Sequence, residues 1–130
     1  MEIPQHFADL LSWEKKSFAH LAVVLGDGTP HCTPLWFDYD GTHLIINSAL
    51  GRVKDKAMRQ SPNVALAISD PDDPYRYIQI RGKVTEVTEE GARDTIDHLS
   101  HKYRDALFDH KANETRVTYK ILPTSIEPHA

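Results

Sequence analysis

The chain has 130 residues, 40% hydrophobic and 26% charged, with a net charge of −4. That length suits one domain around one core, residues 1–130, and the composition is that of an ordinary soluble protein. The acidic balance excludes a general nucleic-acid binder, and no apolar run approaches the ~20 residues of a membrane span.

The first segment, MEIPQHFADL, lacks the basic-then-apolar pattern of a secretory signal. Pro4–Trp13 reads as a short amphipathic helical segment with Phe7, Leu10 and Leu11 apolar. Phe18–Leu25 is a strand, followed by the turn signal Gly26-Asp27-Gly28-Thr29-Pro30. His31–Tyr39 is read as the second strand, Asp40-Gly41 as a hairpin turn and Thr42–Ser48 as the third strand, giving an antiparallel meander. Cys32, the single cysteine, is read as a packing residue. It allows no internal disulfide and fits a reducing cytoplasm, so a cytoplasmic protein is expected.

The stretch INSALGRVKDKAMRQSP carries the densest information. A buried strand ends in small residues and runs into a helix over Arg52–Arg59 with Arg52, Lys54, Lys56 and Arg59. Cations at a helix start oppose the helix dipole, whereas free N–H groups there bind anions. A phosphate or carboxylate occupant reconciles the two. Val53, Ala57 and Met58 are expected to face the body. Arg52, Lys56 and Arg59 form a stripe away from it, while Lys54 points inward. Either Lys54 holds an anion or its stem snorkels to water.

Ser61-Pro62-Asn63 ends that helix. Val64–Ser69 is apolar at nearly every position, so both faces are expected to be covered. Asp70–Pro74 is an acidic turn without calcium-loop spacing. Tyr77–Thr88 is a long strand with Ile78, Ile80, Gly82 and Val84 on one face, and Gly82 suggests a barrel bend. Thr88, with Glu89 and Glu90 behind it, is expected to cap a second helix whose apolar stripe is Ala92, Ile96, Leu99, Tyr103 and Leu107. Arg116–Leu122 is the last strand, with pairing resuming at Ser125–Ile126 after Pro123. About six antiparallel strands with two or three helices predict an α+β, mainly β domain, a closed or split barrel.

Asp94, His98, His101 and Asp105 share one helix face, a spacing that can hold zinc. A solvated polar face is the plainer reading, and no metal is expected. No zinc, phosphate-loop or nucleophile-elbow motif occurs, and paired carboxylates fall only in loops and at exposed helix starts. With no self-sufficient catalytic set, a cofactor would carry any chemistry. Trp36, Phe37 and the run Tyr75-Arg76-Tyr77 either pack or reach a flat ring or an anion of a neighbouring subunit.

LAVVLGDGTPHCTPLWFDYDG and LIINSALGRVKDKAMRQSPNVALAISDPDDPYRYIQIRGKV together closely resemble the pyridoxamine 5′-phosphate oxidase-like flavoprotein superfamily. They are most similar to its branch of small actinobacterial-type enzymes that use the deazaflavin coenzyme F420. The resemblance is strongest over Ala19–Val87. It implies a split β-barrel homodimer with the cofactor in a groove between subunits. By resemblance, the backbone of Thr33 and Pro34 would lie against the ring, and Asn47, Ser48, Arg52 and Lys54 would hold the phosphate. Lys56 and Arg59 would meet the anionic tail of F420, and Tyr75, Arg76 and Tyr77 would contribute across the dimer. FMN is the competing cofactor. However, the second strand carries Thr33-Pro34-Leu35-Trp36 where FMN-dependent pyridoxamine phosphate oxidases place basic residues. A C-terminal Arg-x-His type substrate element is also lacking.

The expected function is therefore an F420-dependent oxidoreductase passing a hydride between the deazaflavin and a small, conjugated organic substrate. His31, Tyr75 and Tyr77 are the candidate proton donors. The alternatives are an FMN-dependent oxidase or reductase on the same scaffold, and a non-catalytic binder of a flavin, F420 or haem.

Overall fold

Pro4, with its fixed φ, opens a 3₁₀ helix, Gln5–Leu11, that buries Leu10 and Leu11. The structure is a computed structural model and describes residues 2–130. Seven strands follow: β1 (Ala19–Val24), β2 (Pro30–Leu35), β3 (Asp38–Tyr39), β4 (Leu44–Ala49), β5 (Asn63–Asp70), β6 (Asp73–Thr88) and β7 (Arg116–His129). Helix α1 (Val53–Gln60) joins β4 to β5, and α2 (Ala92–Arg104) lies between β6 and β7. All pairs are antiparallel, in the order β2-β1-β5-β6-β7-β4-β3.

The two edge strands of this sheet, β2 and β3, are separated by only Trp36 and Phe37. Three residue steps span at most about 11 Å. The sheet must therefore curl until its edges nearly meet, which makes it a split barrel. The expected strand His31–Tyr39 is thus two strands, and the expected meander of the first three strands does not form. β2 pairs with β1, while β4 pairs with β7 from the far end of the chain. The count becomes seven instead of about six for this reason. Phe37 is fully buried at the crossing. Helix α2 holds it there: Lys102 Nζ donates to the Phe37 carbonyl at 3.0 Å, and the Tyr103 hydroxyl receives the Phe37 N–H at 3.3 Å.

Inside the barrel pack Leu21, Val23, Leu44, Ile46, Val64, Leu66, Ile68, Ile78, Ile80, Val117, Tyr119 and Ile121. Gly82 allows the closest strand contact: a Cβ there would lie 2.7 Å from the Leu122 carbonyl oxygen, where β6 and β7 shift register. On β5 only one face is covered within the chain; the outward Ala65, Ala67 and Ser69 are half-buried. Cys32 is exposed on the edge strand β2, not packed. Thr88 does not cap α2. Its hydroxyl accepts the Glu90 N–H in the preceding turn, and the helix begins later, at Ala92. Leu107 lies beyond the helix end and is exposed.

Candidate functional site

β4 and α1 meet at the open edge of the barrel through the turn Leu50-Gly51-Arg52. Gly51 adopts φ +88°, a conformation L side chains rarely take. Arg52 occupies the N-cap position of α1, where no side chain bonds the first-turn N–H groups. Those donors are orphaned by helix geometry, so the start of α1 is an open anion seat.

The face of α1 toward the body is Asp55, Ala57 and Met58; Val53, expected there, is half-exposed. Lys54 turns inward as its spacing implies. Its Nζ donates to Thr33 Oγ1 on β2 at 3.2 Å. Among the described residues this is its only hydrogen-bond partner, and its charged neighbours are the cations Arg52 and Arg116. Burial, then these two like charges, push the Lys54 ammonium below its ordinary value. A half-buried cation placed beside two others is complete only when an anion joins it.

Opposite α1 stands the start of β7. The register pairs Asn47 with Thr118 and Ala49 with Arg116, so Asn47, Thr118 and Arg116 share one face. Asn47 Nδ2 donates to the Ala92 carbonyl and to Thr118 Oγ1, at 2.9 and 3.1 Å. Arg116 Nε donates to Asn47 Oδ1 at 2.9 Å. Glu114 accepts from Arg116 Nη1 at 2.7 Å and from Arg52 Nη2 at 3.0 Å. These two guanidiniums hold its carboxyl below the usual range.

Together these residues line a groove of about 280 Å³, walled on its apolar side by Phe18, Pro34, Leu35, Trp36, Ile96, Leu99 and Phe108. Trp36 stacks on Tyr103, with centroids 5.5 Å apart and planes at 5°. Its charged lining is Arg52, Lys54, Lys111 and Arg116 against Glu114 alone. Ser48, only 2% exposed, is among the lining residues, and its hydroxyl is buried without a hydrogen-bond partner. Surplus cations and an uncapped helix start fit a phosphate, and the aromatic wall fits a planar ring.

Of the residues singled out in the sequence, Pro34, Asn47, Ser48, Arg52 and Lys54 line this groove, and Thr33 touches it through Lys54. Lys56 is exposed on α1. Arg59 turns back to Asp55, with Nε 2.9 Å from Oδ1. Tyr75 projects at the β5–β6 turn, 81% exposed. Arg76 binds Asp9 and Asp70 and lies 5.1 Å over the Phe7 ring. Tyr77 stacks on His129 at 4.8 Å. None of these five lines the groove. Arg116, Glu114, Lys111, Phe108 and Trp36 do, and only Trp36 had been singled out. Arg116 could have been found from its place two residues before Thr118 on a strand facing the Asn47 strand, but that requires knowing that β4 pairs with β7. His98 and Asp38 approach to 3.3 Å, and no group of three or more His, Cys, Asp or Glu side chains among the described residues is arranged to hold a metal.

A split barrel whose open edge carries a cation-rich, aromatic-walled groove is a scaffold for an anionic ligand bearing a flat ring. Residues 3–130 match the model of the pyridoxamine 5′-phosphate oxidase family, and the chain belongs to that family. It is similar to the solved structure of an F420 reductase, at 31% identity and a TM-score of 0.85, over 96% of this chain and 98% of that one. A FAD-binding protein from Mesorhizobium loti is 20% identical, with a TM-score of 0.68 over 95% of this chain and 92% of that one. HupZ from Group A Streptococcus is 18% identical, with a TM-score of 0.71 over 98% and 94%. These last two share the fold. No curated protein matches the chain.

Proposed function

We propose that this protein is an F420-dependent oxidoreductase that passes a hydride between the deazaflavin and a small, conjugated organic substrate. Membership of the family and the likeness to the F420 reductase support a flavin- or deazaflavin-type oxidoreductase. The observation that carries the reading is Lys54, a half-buried cation with no carboxylate partner among the described residues, at the uncapped start of α1.

In this reading the phosphate is held by Lys54, Arg52, Ser48 and the first-turn N–H groups of α1, with Asn47 fixing Arg116 against the same group. Thr33 keeps the Lys54 ammonium on the groove side of β2. Pro34 and Trp36 present an apolar, donor-poor surface to the ring and exclude water from it. The bound deazaflavin supplies the hydride chemistry. The titratable groups lining the groove are four cations and Glu114, which is paired to two of them. Among the described residues the groove thus offers no free carboxylate or imidazole, and in this reading a proton required by the substrate comes from solvent. At about 280 Å³ the groove falls just below the usual range of ~300–1,000 Å³ for small-molecule pockets. A second copy of the chain would complete it, and the half-buried outward Ala65, Ala67 and Ser69 of β5 offer small side chains for close packing. Tyr75, Arg76, Tyr77, Lys56 and Arg59 act in this reading only as contributions to such a dimer or to the cofactor's anionic tail. A cytoplasmic setting, where reduced cofactor is available, belongs to the same proposal.

The missing acid–base pair favours one second reading, a non-catalytic carrier of a flavin-type cofactor. The two separate on incubation of the protein with reduced F420 and a panel of conjugated carbonyl and nitro compounds. Turnover seen as the return of the oxidised deazaflavin's visible absorption supports the enzyme. Tight binding without turnover across the panel supports the carrier.

A further inference from the structure

We infer that Asp55, which does not line the groove, is the positioning residue that sets how tightly the groove grips a phosphate. The inference rests on the phosphate-site reading above and deepens it. Asp55 is 1% exposed, a carboxylate on the body-facing side of α1. It accepts from donors on three sides: the Gly51 N–H at 2.9 Å, Arg59 Nε at 2.9 Å and the Tyr119 hydroxyl of β7. Burial pushes its carboxyl up, but Tyr119, Gly51 and Arg59 together hold it below the usual range.

Buried ion pairs are poor sources of stability, and apolar replacements of similar volume often do as well. What an apolar side chain could not do here is reach back four residues to an N–H. Asp55 pins Gly51, so the segment from Gly51 to Asp55 is anchored at both ends. Arg52 and Lys54, the two α1-side cations of the groove, lie between the anchors. Through Tyr119 the same carboxylate is tied to β7, the strand that carries Arg116 three residues earlier. One buried charge thereby fixes the spacing of both cationic walls. It faces the barrel while Lys54, its neighbour, faces the groove, so it does not compete for the anion.

The test compares two ligand pairs: FMN against riboflavin, which differ in the phosphate alone, and F420 against its deazaflavin riboside, which lacks the phosphate together with the anionic tail beyond it. Dissociation constants are read from fluorescence for the wild-type chain, D55N and Y119F, with folding checked by near-UV circular dichroism. In the wild type the phosphorylated member of at least one pair binds more tightly. D55N lowers that preference about tenfold, the equivalent of one charge-assisted hydrogen bond, with riboside affinity unchanged. Y119F lowers it by a smaller factor, about threefold, and serves alone should D55N not fold. Equal loss for both members of a pair marks a general loosening of the fold and overturns the inference. A wild-type preference kept intact in the folded variants overturns it as well. A wild type that does not distinguish the members of either pair overturns the phosphate site itself, and the inference with it.

Discussion

Two cation clusters in this protein use the same side chains to opposite ends. Around the N-terminal 3₁₀ helix, Arg76 and Lys15 face Asp9, Asp70 and Asp72, and each of these two cations has more than one carboxylate partner. Around the groove, Arg52, Lys54, Lys111 and Arg116 face Glu114 alone. The first cluster is electrically closed and clamps the start of the chain to the β5–β6 hairpin. The second is open and calls for an anion from outside. Basic character alone does not mark a binding site; the shortage of nearby carboxylates does.

Several substitutions would break or sharpen this contrast. Replacing Arg116 by Met should have the largest effect, because it strands the buried Asn47 Oδ1 and leaves Glu114 with Arg52 as its remaining partner. A loss of about 2 kcal/mol in chemical denaturation is expected, together with loss of cofactor binding. Lys54→Ala should lower cofactor affinity between about tenfold and a hundredfold, the size of one or two charge-assisted bonds, with the unfolding temperature unchanged. An affinity equal to wild type would remove Lys54 from the site. Arg76→Ala should do the reverse, lowering the unfolding temperature while changing cofactor affinity far less than Lys54→Ala does. A fall in affinity without loss of stability would show that the clamp is part of the site.

Two pH dependences are smaller in effect. Lys54 starts below its ordinary value of 10.5 and its charged form is the one that attracts an anion, so affinity falls as pH rises through a value below 10.5. Lys54→Arg should move that fall upward, since a guanidinium stays charged. Glu114 behaves oppositely toward acid. Its folded-state carboxyl is held below the unfolded value of about 4.5, so the stability it contributes is fully present above that pH. It is lost as pH falls through the lower folded value, and Glu114→Gln should flatten the acid side of the stability curve.

Much of the open cluster was legible because it is local. The small residues after β4, the basic start of α1 and the inward angle of Lys54 all lie within eight positions, and helical spacing orders them. The barrel was legible from alternation in β6 and from Gly82. What escaped depends on distant pairing. Trp36-Phe37 continues the strand propensity of its neighbours, so nothing local announces that the chain leaves one sheet edge for the other. Arg116 and Glu114 lie more than sixty residues from Asn47 and Arg52, and only the β4–β7 register brings them together. Spacing also cannot show that Asp55, one turn before Arg59, is buried and pairs with it. The pairing of Arg76 with Asp9 is hidden for the same reason, the two lying far apart in sequence.

The central claim is that the open cluster at the start of α1 seats a phosphate-bearing deazaflavin. Titration of the purified apoprotein with F420 and with FMN, followed by intrinsic Trp fluorescence, tests it most directly, since Trp36 lines the groove while Trp13 packs against His98 elsewhere. The account predicts saturable quenching by F420 at lower concentration than by FMN, with the signal lost in Trp36→Phe. Tighter binding of FMN, or no quenching by either, would contradict it.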